Sequence, residues 1–204
     1  MKTSVTTCCQ TGQLSSTPYR LVLLALVINI LLIPSAAVAE WSTSISRDEM
    51  TGKVQAFATS DWVSPTKPMR FPYNDVRGIM GVGCKEGDLS GTRSDGTTWT
   101  HTSYWAYFKF TDAPNLTNVD VADGYSTFRT RVRWDDEIET VEMRQTWGAP
   151  SIQFRSSTSA IEKISASSSV LLELQWHGSG KVYFDFPLNG SAKALAEAKK
   201  ACGG

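Results

Sequence analysis

From residue 41 to about residue 155, apolar side chains recur mainly at every second position, the period of a strand with one buried face. The cleanest stretch is 125–134, where Phe128, Thr130, Val132 and Trp134 fall on one side and Arg129, Arg131 and Arg133 on the other. Residues 41–47 and 53–58 alternate around Asp48-Glu49-Met50-Thr51-Gly52, turn chemistry in which Gly52 supplies a left-handed residue, so they predict a first hairpin. Residues 61–75 hold Pro65, Pro68 and Pro72 and read as an irregular link. Residues 77–84 predict a short, glycine-rich strand ending at Cys84, and 87–96 a polar turn region. Residues 97–110 carry Trp99, Tyr104, Trp105, Tyr107, Phe108 and Phe110, which makes this stretch the expected centre of the core. A loop over 112–124 follows. After the charged break Asp135-Asp136-Glu137, strands are predicted at 138–147 and 151–155, separated by Gly148-Ala149-Pro150.

The last fifty residues change character. Ser156-Ser157-Thr158 can start a short helix through Ile164, with Ile161 and Ile164 at helical spacing. Strands at 170–176 and 181–186 flank the hairpin turn His177-Gly178-Ser179-Gly180. The Ala- and Lys-rich stretch 192–202 predicts a helix whose apolar stripe is Ala194, Leu195, Ala198 and Cys202, with Gly203 ending it. The expected fold is mainly β: an antiparallel β-sandwich, or a partly open barrel, of 7–9 strands with a C-terminal α-helix. It forms one domain over 40–204.

Residues 1–39 read differently. A 13-residue apolar run at 21–33 follows Lys2 and Arg20 and leads to Ala37-Val38-Ala39. Basic start, apolar run and small-residue step together predict an export signal cleaved between Ala39 and Glu40. The rival reading is a retained anchor, but 13 residues of helix cover only about 20 Å of a hydrocarbon layer of about 30 Å. Cys8 and Cys9 precede the apolar run, where a lipidation cysteine would follow it. The stretch before Arg20 is long for such a signal, and a later start codon would shorten it. The expected location is the periplasm, with the extracellular space as the wider alternative.

Export changes the reading of the cysteines. Cys84 and Cys202 alone lie after residue 40, and an even count in an oxidising compartment favours a disulfide between them. Two buried free thiols are the alternative. Of the 20 basic side chains, Lys2 and Arg20 precede residue 40, leaving 18 against 20 acidic ones, a net charge of −2. Neither nucleic acid nor an anionic membrane surface is implied by so small an excess. All seven tryptophans lie after residue 40, and such side chains serve β cores and recognition faces alike.

Candidate chemistry is sparse. His101 and His177 are too few for a metal set without a carboxylate converging from elsewhere. No serine sits in a nucleophile-elbow motif. Asp135, Asp136, Glu137 and Glu139 cluster at a strand junction, where a Ca²⁺ site or an acid–base pair competes with a solvated turn. Arg129, Arg131 and Arg133 form either a solvated face or a basic stripe for an acidic partner.

Three features stand in a particular order: Trp41-Ser42 followed by the turn through Gly52, Cys84 closing a middle strand, and the step Phe186-Pro187-Leu188-Asn189-Gly190 before a helix that reaches Cys202. In this the chain resembles the VasI/TagO-like family of small bacterial periplasmic proteins associated with type VI secretion. It departs from the family at Gly78, Gly81 and Gly83, where a plainer Leu-rich strand is usual. The resemblance carries over no catalytic residue and no cofactor. It implies a periplasmic, non-enzymatic accessory whose partner is an envelope or secretion-system protein; the candidate contacts, read from the residues themselves, are the face of Arg129, Arg131 and Arg133 and any exposed tryptophan. The membrane is met only through an uncleaved export segment. A carbohydrate-binding module is the second expectation and requires two or more exposed, coplanar tryptophans. An envelope hydrolase is the third and requires a pocket with a perturbed acid or histidine.

Overall fold

The computed structural model describes residues 40–203. The stretch 1–39, read above as an export signal ending at Ala39, lies outside them; Glu40 is exposed at their start. Ten strands form one antiparallel sheet: β1 (Ser42–Arg47), β2 (Val54–Thr59), β3 (Gly78–Thr92), β4 (Thr98–Phe110), β5 (Asp120–Ala122), β6 (Tyr125–Trp134), β7 (Glu137–Thr146), β8 (Ser151–Phe154), β9 (Ser169–Trp176) and β10 (Gly180–Pro187). Two helices accompany them, α1 (Ser157–Ala166) and α2 (Ser191–Ala201). The strand order is β1-β2-β3-β4-β8-β7-β6-β9-β10, with β5 paired to β6. The fold is mainly β with a C-terminal helix, as the alternation predicts. The strand beyond the expected nine is β5, three exposed residues with no burial pattern to reveal them.

The sheet rolls up without closing. Phe108 and Phe110 of β4 pack on Phe186 and Phe184 of β10, each pair of ring centres 5.1 Å apart, although β4 and β10 are far apart in the ladder. All four rings are fully buried, as is Trp176, and each such side chain stabilises the fold by roughly 1.5–3 kcal/mol. The seam between β3 and β10 is bridged by residues 63–66. Val63 and Gly78 exchange backbone hydrogen bonds of 2.8 and 2.9 Å, and the Thr66 N–H donates to the Tyr183 carbonyl at 2.8 Å.

Helix α2 lies on the inner face of β1, β2 and β3 through Ala194, Leu195, Ala198 and Cys202, the stripe that its spacing predicts. The Cys202 and Cys84 sulfurs are 2.13 Å apart, in a disulfide that joins the helix to β3 across 118 positions of sequence. In the chain-entropy picture, a closure of that length contributes about 5 kcal/mol. Polar contacts fix the helix further: Thr43 Oγ1 donates to the Ala194 carbonyl at 3.2 Å, and Thr102 Oγ1 to the Cys202 carbonyl at 3.0 Å.

Two local expectations give way. The strand read as ending at Cys84 continues to Thr92, and the polar turn shrinks to the few residues between Thr92 and Thr98. Its partner β4 is buried only at Ala106, Tyr107, Phe108 and Phe110; towards Thr98 it leaves the body and is exposed or half-buried. The β3–β4 ribbon is therefore an arm as well as a wall of the core.

Candidate functional site

The outer face of this ribbon holds a row of aromatic rings seated on glycines. Register places Gly81 opposite Tyr107, Gly83 opposite Trp105, and Gly91 opposite Trp99. A methyl group at these glycines would stand 2.7, 2.4 and 2.8 Å from atoms of those rings, so the rings occupy the space where side chains of β3 would be. In both tryptophans the same edge of the indole, Cε2, Cζ2 and Nε1, lies over the glycine, so the two rings lie the same way. Only glycine permits this flat seat, which explains its presence in a strand that it otherwise weakens. Phe57 of β2, opposite Gly83, meets Trp105 and Tyr107 edge-on at 5.9 and 6.3 Å. His101 leans on Trp99 at 5.0 Å. Six residue steps along the strand take Trp99 to Trp105, a span of about 20 Å. Both are partly exposed. Burial pushes the Tyr107 hydroxyl up to about 12, so it stays protonated.

Between Cys84 and Leu89 the strand bulges: Lys85 faces Ser103, Leu89 faces His101, and β3 spends two extra residues in between. The bulge aims Asp88 back across the row. Its carboxylate accepts from Ser103 Oγ at 2.9 Å and pairs with Lys85 at 3.0 Å, and these contacts, that of Lys85 first, hold it below the usual carboxylate range. Beside the bulge opens a cleft of about 520 Å³, lined among others by Arg47, Asp48, Lys53, Gln55, Lys85 and Asp88. Two of its cations are positioned by backbone carbonyls: Lys53 Nζ donates to that of Gly87 at 2.7 Å and Arg47 to that of Gly52 at 2.6 Å. The row and the cleft meet at Gln55 and Lys85, the strand neighbours of Phe57 and Gly83.

The residues singled out by the sequence are placed as follows. Arg129, Arg131 and Arg133 share the exposed face of β6 while Phe128, Thr130, Val132 and Trp134 point inward. The stripe is not uniformly basic. Arg131 is bonded to the carboxylate of Glu173, a buried residue of β9, which also accepts from the Tyr183 hydroxyl at 2.8 Å. The Arg131 hydrogen bond holds the Glu173 carboxyl below its usual range against the opposing push of burial. Arg129 stands opposite Glu142. The acidic cluster diverges: Asp135 accepts the backbone N–H groups of Ser168 and Ser169, while Glu139 accepts from the Trp134 indole at 2.6 Å and, with Glu137, holds Lys163. Among the described residues no three His, Cys, Asp or Glu side chains are grouped to hold a metal. His101 sits on the arm and His177 at the β9–β10 turn.

No family model, curated protein or solved structure matches this chain. Its site therefore has to be read from its own geometry. Of the seven tryptophans, Trp41, Trp134 and Trp176 are buried in the core, Trp147 is 78% exposed on a turn, Trp62 is exposed in the link before β3 with Arg77 over its ring, and Trp99 and Trp105 share one strand face. The composition shows seven indoles; the register shows which two are seated on glycines of β3. The glycines at 81, 83 and 91 were the available signal, since each odd-numbered one lies on the same face of β3.

Proposed function

We propose that the domain is the working part of an exported, non-enzymatic protein of the cell envelope, which binds an envelope component through the outer face of β3 and β4. The observation that carries this reading is the seating of the partly exposed Trp105 and Trp99 on Gly83 and Gly91. Partly exposed aromatic surface beside hydrogen-bonding groups is typical of binding faces. The face is preferred over the arginine stripe because Arg131, at the centre of that stripe, is already tied to Glu173. The reading is non-enzymatic because Asp135, Glu137 and Glu139 are each tied to a structural partner. Service to a secretion machine is the narrower form of the proposal and rests on the resemblance around Trp41, Cys84 and Phe186.

Pelleting with isolated cell envelopes tests it. The wild-type protein is expected to sediment with the envelopes, and the Trp99→Ala/Trp105→Ala variant, folded by circular dichroism, to stay in the supernatant. Equal sedimentation of the two would remove the proposed face; release of soluble fragments from the envelopes would remove the non-enzymatic assignment.

A further inference from the structure

We infer that the ligand of the β3–β4 face is a neutral, extended glycan chain lying along β4 from Trp105 towards Trp99; this rests on the binding face just proposed. The first argument is ring orientation. A ring standing on edge offers little to a sugar, whereas a ring lying flat offers a whole π-face to the axial C–H bonds of a pyranose. Trp105 and Trp99 lie flat because Gly83 and Gly91 leave their seats empty, and they present the same indole edge to the strand. The second argument is spacing. The two rings are in line on one strand about 20 Å apart, which suits a chain of several sugar units and exceeds any single small ring. The third is what borders the rings. Gln55 and Ser103 flank the row, Gln153 stands opposite Tyr107, and the polar cleft opens at Gln55. Sugar hydroxyls pair with such amide and hydroxyl groups.

Charge decides the class. Lys85 is paired with Asp88 at 3.0 Å, and the other cations by the row, exposed Lys109 at its Tyr107 end and Lys53 on the Gly87 carbonyl in the cleft, are isolated charges rather than a track along Trp105 and Trp99. A nucleic acid or an acidic polysaccharide stacked on the same rings would need one. The bulge that brings Asp88 to Lys85 thus selects against anionic chains.

Titration of the purified protein with three linear neutral hexasaccharides, cellohexaose, chitohexaose and laminarihexaose, followed by tryptophan fluorescence and calorimetry, tests this. At least one is expected to bind saturably with a change in tryptophan emission. Trp99→Ala, on the exposed arm where folding is not at stake, is expected to weaken that binding at least about tenfold, in line with the loss of one stacked ring. Polygalacturonate should bind no better than the weakest of the three, and Arg131→Ala should leave binding unchanged. The inference is overturned if none of the hexasaccharides binds, if Trp99→Ala binds as well as wild type, or if polygalacturonate binds best. If no hexasaccharide binds while the Trp99→Ala/Trp105→Ala variant still fails to sediment with envelopes, the glycan is wrong and the face stands. If that variant also sediments normally, both fall.

Discussion

A methyl group at Gly83 would stand 2.4 Å from Cε2 and Cζ2 of Trp105, closer than carbon atoms approach. Gly83→Val should therefore lift the indole off β3. The expected cost is about 1–3 kcal/mol, the range for overpacking, read from urea unfolding. A change in near-ultraviolet dichroism should accompany it, and an unchanged spectrum would mean that the ring is not held by the glycine. Glu173 supports a second prediction. Its carboxyl is held below its ordinary value near 4.5, so its contribution to stability is complete above that value and is lost as pH falls through the lowered folded one. Glu173→Gln should remove this part of the acid dependence, so that mutant and wild type differ more in unfolding free energy at pH 6 than at pH 3. Residue identities alone did not disclose either role. Gly83 looked like a departure from a Leu-rich strand, and Glu173 like one more polar position, until register set Trp105 over the first and Arg131 and Tyr183 against the second.

The β3–β4 ribbon and α2 show what was legible in the elements. Strand β6 reads from its sequence without error, because one face is buried from Phe128 to Trp134 and the other is wet. Helix α2 reads as well, since its small apolar stripe has one surface to face. The distal half of β3 does not, because glycine, aspartate and serine there spell turn, and the strand is completed by the rings of β4. That arm is exposed on both faces beyond Leu89. Replacing residues 90–100 by Asn-Gly, a two-residue turn joining Leu89 to His101, should change the unfolding free energy by less than about 1 kcal/mol while abolishing envelope binding. The disulfide behaves in the opposite way. Cys84→Ser/Cys202→Ser should cost roughly 2–5 kcal/mol in denaturant unfolding, matched by reductant acting on the wild type. If the double variant is as stable as the parent, α2 is held by Leu195 and its neighbours alone.

In the whole molecule, a single apolar interior joins strands that are distant in sequence, from Ala56 and Met80 to Phe184 and Leu195. Such long-range pairing makes one cooperative unfolding transition the expectation. The seam is its weakest course. Residues 63–66 join β3 to β10 through isolated bridges, while β9 and β10 pair along eight positions. Amide hydrogen exchange should be faster at Val63 and Thr66 than at Leu172 and Phe184; equal protection would show a wall as firm there as elsewhere. The bond between Cys84 and Cys202 also sets how the domain bears tension. Held at residue 40 and at Gly203 and pulled, the chain transmits load from Cys84 straight to Cys202, and β4 to β10 are bypassed. Only the stretch up to Cys84 can pay out, roughly 150 Å against roughly 570 Å for the unbridged polymer. Trp99 and its seat Gly91 lie inside the bypassed stretch, whereas Phe57, Gly81 and Gly83 lie in the part that pays out, so a domain strained between those two points strips the seats from Tyr107 and Trp105 while Trp99 keeps its own.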